Sequence, residues 1–422
     1  MPNQAKTLHL TNSFHESSGG VATSYRALLR EADKNGRLMR LVVPSDRDGV
    51  EEIGKFGRIY HVAAPRSRFF DTRYRTILPQ RYLLTRQGRI WEILAAEQPD
   101  LLEVRDKLCL NWLGGLFRKS LQRVTKRPVL VASSSERLDD LLAAYLAGIK
   151  PVSKLARVYM RYCYIPLFDF HTANSPYTAD EIRAAMVSKH ARPLVVFPEG
   201  VDCDRFTPHK RDRDLSASLL RRVAGTEDSL LLLYCGRLSP EKNLRLLVEV
   251  MNRLNEKGTC DFRLVVAGDG PMAPHLRREF EAVARGRHVF LGHVSDRDEL
   301  ARLYASCDIF VHPNPREPFG IAPLEAMASG LALVAPDSGG VLSYADLHSS
   351  WLVPPDAASF ANAIVDASDP ELRRQRSAAA RKVAERFNWP IIANRLFDLF
   401  DHLVDHQSGA ALVAGDVGFT YG

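Results

Sequence analysis

Short runs rich in apolar residues alternate along this chain with longer stretches whose apolar residues recur every three or four positions. In the first half, residues 7–11, 38–43, 59–62, 101–104, 129–132 and 170–173 predict strands, and 21–34, 87–97, 112–123 and 176–188 predict helices. The second half repeats the arrangement, with strands over 230–235, 262–267, 289–291, 309–312 and 332–335. Helices are predicted between and after them over 244–255, 272–284, 297–307 and 323–329. Strands that are largely apolar and separated by helices are buried on both faces, which predicts α/β units with parallel sheets. Two such series in tandem predict two doubly wound domains, and 422 residues exceed what one ordinary core accommodates. Ligands in these folds collect at the carboxyl ends of the strands, so a cleft between the two halves is expected.

The boundary is expected within 196–208, a stretch holding Pro198, Gly200 and Pro208. Domains are accordingly assigned to 1–192 and 193–387, with a helix over 388–407 returning to the first domain. The Gly- and Ala-rich tail over 408–422 is expected to be disordered.

Composition changes this picture little. Hydrophobic residues at 45% and charged residues at 25% belong to an ordinary soluble globular protein. No apolar run approaches the roughly 18 residues of a membrane span, and residues 1–10 lack a signal-peptide layout, which predicts a cytoplasmic protein. The six cysteines are widely spaced, without a C-x-x-C pair or zinc-type spacing, and read as reduced core residues.

Charge changes it more. Residues 1–192 carry 31 Lys+Arg against 19 Asp+Glu, a net +12, whereas the remainder carries 26 against 31, a net −5. The first half is therefore expected to meet something anionic. Its densest part is 58–89, where eight arginines face a single acid, Asp71, among Phe69, Phe70, Tyr74, Ile77, Leu78, Tyr82, Leu83 and Leu84. Such a mixture suits an anionic membrane surface, and it equally suits a solvated arginine-rich loop and helix. No nucleic-acid recognition motif accompanies the charge, so nucleic acid is not expected as a partner.

Chemistry concentrates in the second half. Tyr234-Cys235-Gly236-Arg237-Leu238-Ser239-Pro240-Glu241-Lys242-Asn243 joins an apolar strand to a helix. Gly236 permits a sharp turn, and Arg237 with Lys242 places two cations beside a helix N-terminus, a combination suited to a diphosphate. A solvated cation pair is the plain alternative. Further on, Glu317 lies in a Pro- and Gly-rich loop after a strand, and Glu325 follows eight residues later inside the next helix. Taken singly, Glu317 reads as solvated and Glu325 as helping the start of its helix.

Together these segments resemble the retaining glycosyltransferases of the GT-B fold, in the family-4 group (glycosyl transferases group 1). The resemblance rests on Glu317 to Glu325 with the flanking Leu-Glu-Ala-Met-Ala-Ser-Gly, and on Gly236-Arg237 with Lys242. It also rests on Gly268-Asp269-Gly270-Pro271 and Asp337-Ser338-Gly339-Gly340, in order over most of 194–341. The first half matches more loosely, through Gly19-Gly20-Val21 opening a helix and Ser175-Pro176-Tyr177-Thr178 near its end. The resemblance implies two Rossmann-like domains facing across a cleft, and a GDP- or UDP-linked sugar as donor substrate. No tightly bound metal or other cofactor is expected.

It implies roles as well. Arg237 and Lys242 would hold the diphosphate, Glu317 would contact the transferred sugar, and Glu325 would accept from the ribose hydroxyls. The N–H groups of Phe319, Gly320 and Ile321 would face the sugar or phosphate. The base would lie near 291–294, with Gly292 at its centre, and Gly19 and Gly20 would let the backbone approach the diphosphate.

Two departures stand out. Many relatives place a His in a Ser-His-Glu-Arg-Leu-Asp context, whereas here Ser135 precedes Glu136-Arg137-Leu138-Asp139. His15 and His171 are the candidates to replace it, though a lone histidine is more often structural. Pro318 stands where Gly is common and removes one N–H donor. Residues 101–107 and 136–142 resemble bacterial GDP-mannose-dependent α-mannosyltransferases, which points to mannose, then glucose, as the hexose. The basic first half points to a lipid or oligosaccharide acceptor. The rival reading is a non-catalytic GT-B protein that binds a nucleotide sugar or scaffolds a complex.

Overall fold

The structure, a computed structural model, describes residues 4–14, 20–67, 74–84, 88–118, 126–145, 152–187 and 191–406. His15, Gly19, the tail over 408–422, and residues 68–73 and 85–87 of the arginine-rich stretch lie outside them. The chain divides into two units, one formed by Met1–Pro198 with Trp389–Gly422 and the other by Glu199–Asn388.

Among the described residues, the first unit's sheet contains β1 (Thr7–Thr11), β2 (Met39–Ser45), β3 (Gly49–Ile53), β4 (Gly57–Ala63), β5 (Leu101–Arg105), β6 (Val129–Ser134), β7 (Phe170–Ala173) and β8 (Leu194–Val196). Their spatial order is β3-β4-β2-β1-β5-β6-β7-β8. Every neighbouring pair is parallel except β3 and β4, which run antiparallel. The sequence pattern predicts no strand over 49–53, because Gly-Val-Glu-Glu-Ile carries no apolar run. As an edge strand it needs none, and its two glutamates discourage further pairing. On one face of the sheet, Leu8, Leu10, Leu102, Val104 and Leu130 pack with Phe117, Tyr164 and Phe168. On the other, Leu101, Val129 and Val131 are covered by Leu399, Phe400 and Leu403 of the helix Trp389–Asp405. Asp401 of that helix accepts from the Ala5 N–H at 2.9 Å and pairs with Arg37 at 2.6 Å.

The second unit's sheet contains β9 (Leu230–Cys235), β10 (Phe262–Ala267), β11 (His288–Gly292), β12 (Ile309–Val311), β13 (Ala332–Pro336) and β14 (Trp351–Val353), in the order β11-β10-β9-β12-β13-β14. All neighbours are parallel. β10 and β13 are buried on both faces, as a parallel sheet between helices requires. Leu232, Leu264, Val266 and Val334 share a core with Leu247, Met251, Leu276, Phe280 and Phe360 from the covering helices. Burying each such side chain stabilises the unit by about 1.5–3 kcal/mol.

Candidate active site

The second unit's site grows from the carboxyl ends of its strands. β9, β10 and β11 finish in loops that hydrogen-bond to one another through their backbones. Gly236 N–H donates to the Ala267 carbonyl at 3.0 Å, Leu238 N–H to Asp269 at 3.0 Å, and Gly268 N–H to Gly292 at 2.7 Å. The glycines of the Gly268-Asp269-Gly270 turn permit this closeness. A Cβ at Gly268 would stand 1.9 Å from the Gly236 carbonyl oxygen, and one at Gly270 would stand 2.4 Å from that of Leu238. Gly292, the last residue of β11, has φ +76°, which suits a glycine where the strand turns into the loop.

Arg237 and Lys242 ride on this frame. Between them the chain makes a short 3-10 turn, Pro240–Lys242, and Asn243 takes a left-handed conformation before the helix Arg245–Lys257 begins. The expected direct passage from strand loop into helix is therefore interrupted by a turn that carries Lys242. Asn243 fixes that turn by donating to the Pro313 carbonyl at 3.0 Å. Arg237 is about one-third exposed and pairs with Glu241 at 3.2 Å.

Lys242 meets Glu317 across 75 residues of sequence, its ammonium lying 2.9 and 2.8 Å from the two carboxylate oxygens. Asn314 donates to the same carboxylate at 3.0 Å. Burial alone would raise the Glu317 carboxyl, but the Lys242 charge and these hydrogen bonds hold it at about 2. His312 lies 3.8 Å away, and burial holds its imidazole down at about 4. The loop carrying Glu317 rests on the Gly339-Gly340 backbone. Gly340 N–H donates to the Glu317 carbonyl at 2.7 Å, and a Cβ at Gly340 would lie 1.9 Å from the Pro318 oxygen.

Phe319 is buried edge-on to Tyr344, with ring centroids 5.1 Å apart, and Tyr344 donates to the Gly320 carbonyl at 2.6 Å. Gly320, at φ +90°, opens the helix Ile321–Ala328, whose first N–H groups receive no side-chain cap. That start leaves backbone donors available to an anionic ligand. Glu325 lies deeper than expected, in the second turn and almost fully buried. Its charge is met by Arg297 at 2.5 Å rather than by the helix start. Arg297 opens the helix Arg297–Ala305 and lies over the Phe206 ring at 4.8 Å. Sequence reading missed Arg297, since an ion pair between separate helices leaves no periodic signal.

In the first unit, Gly20 begins the helix Gly20–Lys34 and is exposed. Ser175 caps the helix Pro176–Ala185 by accepting from Thr178 N–H at 3.0 Å, which gives Ser175-Pro176-Tyr177-Thr178 a local structural role. His171 is fully buried between Tyr164 and Phe168, and burial holds it at about 4. It is a core histidine and does not replace the one missing at Ser135, which sits just beyond β6. Also missed was a buried Lys107–Glu181 pair at 2.6 Å. Lys107 additionally donates to the Glu136 carbonyl, and Glu181 accepts from Asp139 N–H at 2.9 Å, so the pair fixes the loop after β6. A second buried cluster joins Glu103 to His9 and, at 2.7 Å, to the Tyr25 hydroxyl. The two segments that resemble mannosyltransferases thus contribute scaffold contacts.

Comparison with known proteins agrees with this arrangement. A model described as Glycosyl transferases group 1 matches residues 218–383, and one described as Glycosyltransferase Family 4 matches 18–205. A GDP-mannose-dependent alpha-(1-6)-phosphatidylinositol dimannoside mannosyltransferase of Mycobacterium tuberculosis is 29% identical over 91% of this chain and 93% of its own. A GDP-mannose-dependent alpha-mannosyltransferase of the same species is 27% identical over 93% and 95%. Among solved structures, sucrose-phosphate synthase from Thermosynechococcus elongatus superposes with a TM-score of 0.75 at 22% identity, covering 95% of this chain and 99% of that one, which shows the fold. On two parallel-sheet units of GT-B fold, the chain thus carries a Glycosyltransferase Family 4 domain over 18–205 and a Glycosyl transferases group 1 domain over 218–383.

Proposed function

We propose that this glycosyltransferase moves mannose from GDP-mannose, with retention of anomeric configuration, to a lipid-linked or oligosaccharide acceptor. The reading of a working donor site is carried by Lys242 meeting both Glu317 oxygens on loops that are each held by backbone hydrogen bonds to neighbouring loops and are joined by Asn243 donating to the Pro313 carbonyl. Mannose and GDP are supported by the names of the two mycobacterial relatives, and a lipid acceptor by the first of those names together with the basic first half.

In the reaction, Arg237 and Lys242 hold the diphosphate. As the bond from the anomeric carbon to the phosphate oxygen breaks, negative charge grows on that oxygen and the fixed cations stabilise it. Deleting one such donor typically costs a factor of about 10²–10³ in turnover. The acceptor oxygen bonds to the anomeric carbon on the face from which GDP departs, and its proton passes to the departing phosphate oxygen. Glu317 receives sugar hydroxyls once the diphosphate draws Lys242 away. Arg297 fixes one oxygen of Glu325, and the other is assigned to the ribose. N–H groups at Phe319, Gly320 and Ile321 face the sugar and phosphate, and the base lies by Gly292. Since side-chain cations supply the neutralising charge, transfer continues in EDTA. The arginine-rich stretch 58–89 meets an anionic membrane surface on the cytoplasmic side.

A donor panel tests this. GDP is expected to raise the melting temperature more than UDP, with GDP-mannose turned over and Glu317→Gln inactive. Stabilisation by UDP and turnover of UDP-glucose would move the assignment to glucose. Binding without turnover on any lipid or glycan acceptor would favour a non-catalytic protein, a reading that Ser135 in place of histidine supports. A product of inverted configuration, or a covalent sugar adduct on the enzyme, would overturn the displacement described.

A further inference from the structure

Five of the eight exposed large apolar side chains described in the first unit lie on two short segments. The helix Val152–Tyr159 continues without a break into a π-helical turn, Met160–Tyr164. Leu155 is 65% exposed, Val158 53% and Tyr162 61%, although a neighbouring face of the same helix buries Ala156, Met160 and Tyr164. Separations of three and four residues put the exposed three on one side of the helix. Lys154 and Arg157 are exposed beside them, and Arg161 is partly so. No acidic residue occurs anywhere from Leu141 to Phe168. The second segment is the end of the helix Gln80–Leu83, where Leu83 is 42% and Leu84 80% exposed.

Both segments are tied to one loop. Tyr82 donates to the Cys109 carbonyl, while Tyr159 donates to the Lys107 carbonyl at 2.7 Å and accepts from Asn111 at 3.0 Å. The loop that follows β5 therefore carries an apolar group on each of two flanking elements. Water-exposed Leu, Val and Tyr side chains are costly to leave uncovered, and cations without acids beside them attract an anionic partner. A helix with an apolar stripe edged by Lys and Arg is built to lie in a lipid interface, apolar side down and cations among the headgroups.

We propose that the helix Val152–Tyr159 and its π-helical extension dock on an anionic lipid bilayer through Leu155, Val158 and Tyr162, with Lys154, Arg157 and Arg161 at the headgroups and Leu84 as a second insertion point. The inference deepens the membrane-surface part of the proposed function, and it rests on that part for its occupant. It assigns the docking to a helix outside the stretch 58–89, with Leu84 the point where the two meet.

The test is co-sedimentation of the full chain with phosphatidylcholine vesicles containing phosphatidylglycerol, beside vesicles of phosphatidylcholine alone. Wild type is expected to bind the anionic vesicles and to lose binding as salt rises. Changing Leu155, Val158 and Tyr162 to Ser should weaken binding about tenfold, and Lys154→Glu with Arg157→Glu by a similar factor. All five side chains are exposed, so the melting temperature and the GDP-induced stabilisation should stay as in wild type, which separates docking from folding and from the donor site. Equal binding by wild type and both helix variants, with loss instead on Arg66→Glu and Arg75→Glu, overturns the helix assignment and leaves the membrane reading standing. Failure of wild type to bind either vesicle overturns both.

Discussion

Two lysine–glutamate pairs in this molecule are alike in geometry and opposite in setting. Lys107 and Glu181 are 2.6 Å apart, with side chains 4% and 5% exposed. Lys242 and Glu317 are 2.8 Å apart, with side chains 21% and 13% exposed. The first pair spends its remaining hydrogen bonds on the backbone of its own unit, at Glu136 and Asp139, and so fixes a loop. The second is open enough for a ligand to compete for the ammonium, and the backbone around it is held by bonds that do not involve the pair. Burial decides which pair supports the fold and which is available to chemistry.

Breaking each pair at its lysine should show the contrast most strongly. Lys107→Ala strands a buried carboxylate, and urea unfolding is expected to show a loss of about 3–5 kcal/mol. Turnover per folded molecule should fall far less. Lys242→Ala should reverse the pattern, with kcat down about 10²–10³-fold and a smaller stability change, because Glu317 keeps Asn314 and water. Lys242→Arg should recover part of the rate, since the charge returns on a differently shaped donor. Equal stability losses from the two alanine variants would break the comparison.

A smaller effect probes the frame. Gly340→Ala places a Cβ against the Pro318 carbonyl, so the loop carrying Glu317 must shift. A loss of about 1–3 kcal/mol is expected, with KM for the donor raised and the acceptor KM unchanged. Unchanged donor kinetics would mean that the Gly339-Gly340 backbone does not position Glu317.

Acid stability offers a further probe. His171 and His312 are both held at about 4, below the ordinary 6.5, so the unfolded chain takes up their protons first. Stability should fall as pH drops from 6.5 towards 4. Glu103 and Glu317, both held at about 2 against an ordinary 4.5, extend the loss below pH 4.5. Urea titrations across this range check it, and a flat profile between pH 6.5 and 4 would remove both histidines from the account.

The strands that were legible in the sequence are those buried on both faces. Leu230–Cys235 is apolar from end to end and Phe262–Ala267 is apolar but for Arg263, and their limits could be read directly. Gly49–Ile53 could not be, because an edge strand may be polar on both sides. At the site, motif spacing singled out Lys242, Glu317 and Glu325. It could not supply the pairing of the first two, the turn that carries Lys242, or the Arg297 partner of Glu325. These depend on which side chains a sheet brings together from distant segments, and a separation of 75 positions between Lys242 and Glu317 leaves no local trace of that meeting.

The helix Trp389–Asp405 closes one face of the first sheet and ties down Ala5 and Arg37 through Asp401. During synthesis on the ribosome, Leu101, Val129 and Val131 are made long before Leu399, Phe400 and Leu403, with the whole of Glu199–Asn388 translated in between. The first unit therefore cannot finish folding as it emerges. A chain stalled or cleaved before Trp389 presents a bare apolar sheet face, the kind of surface that chaperones and proteases recognise.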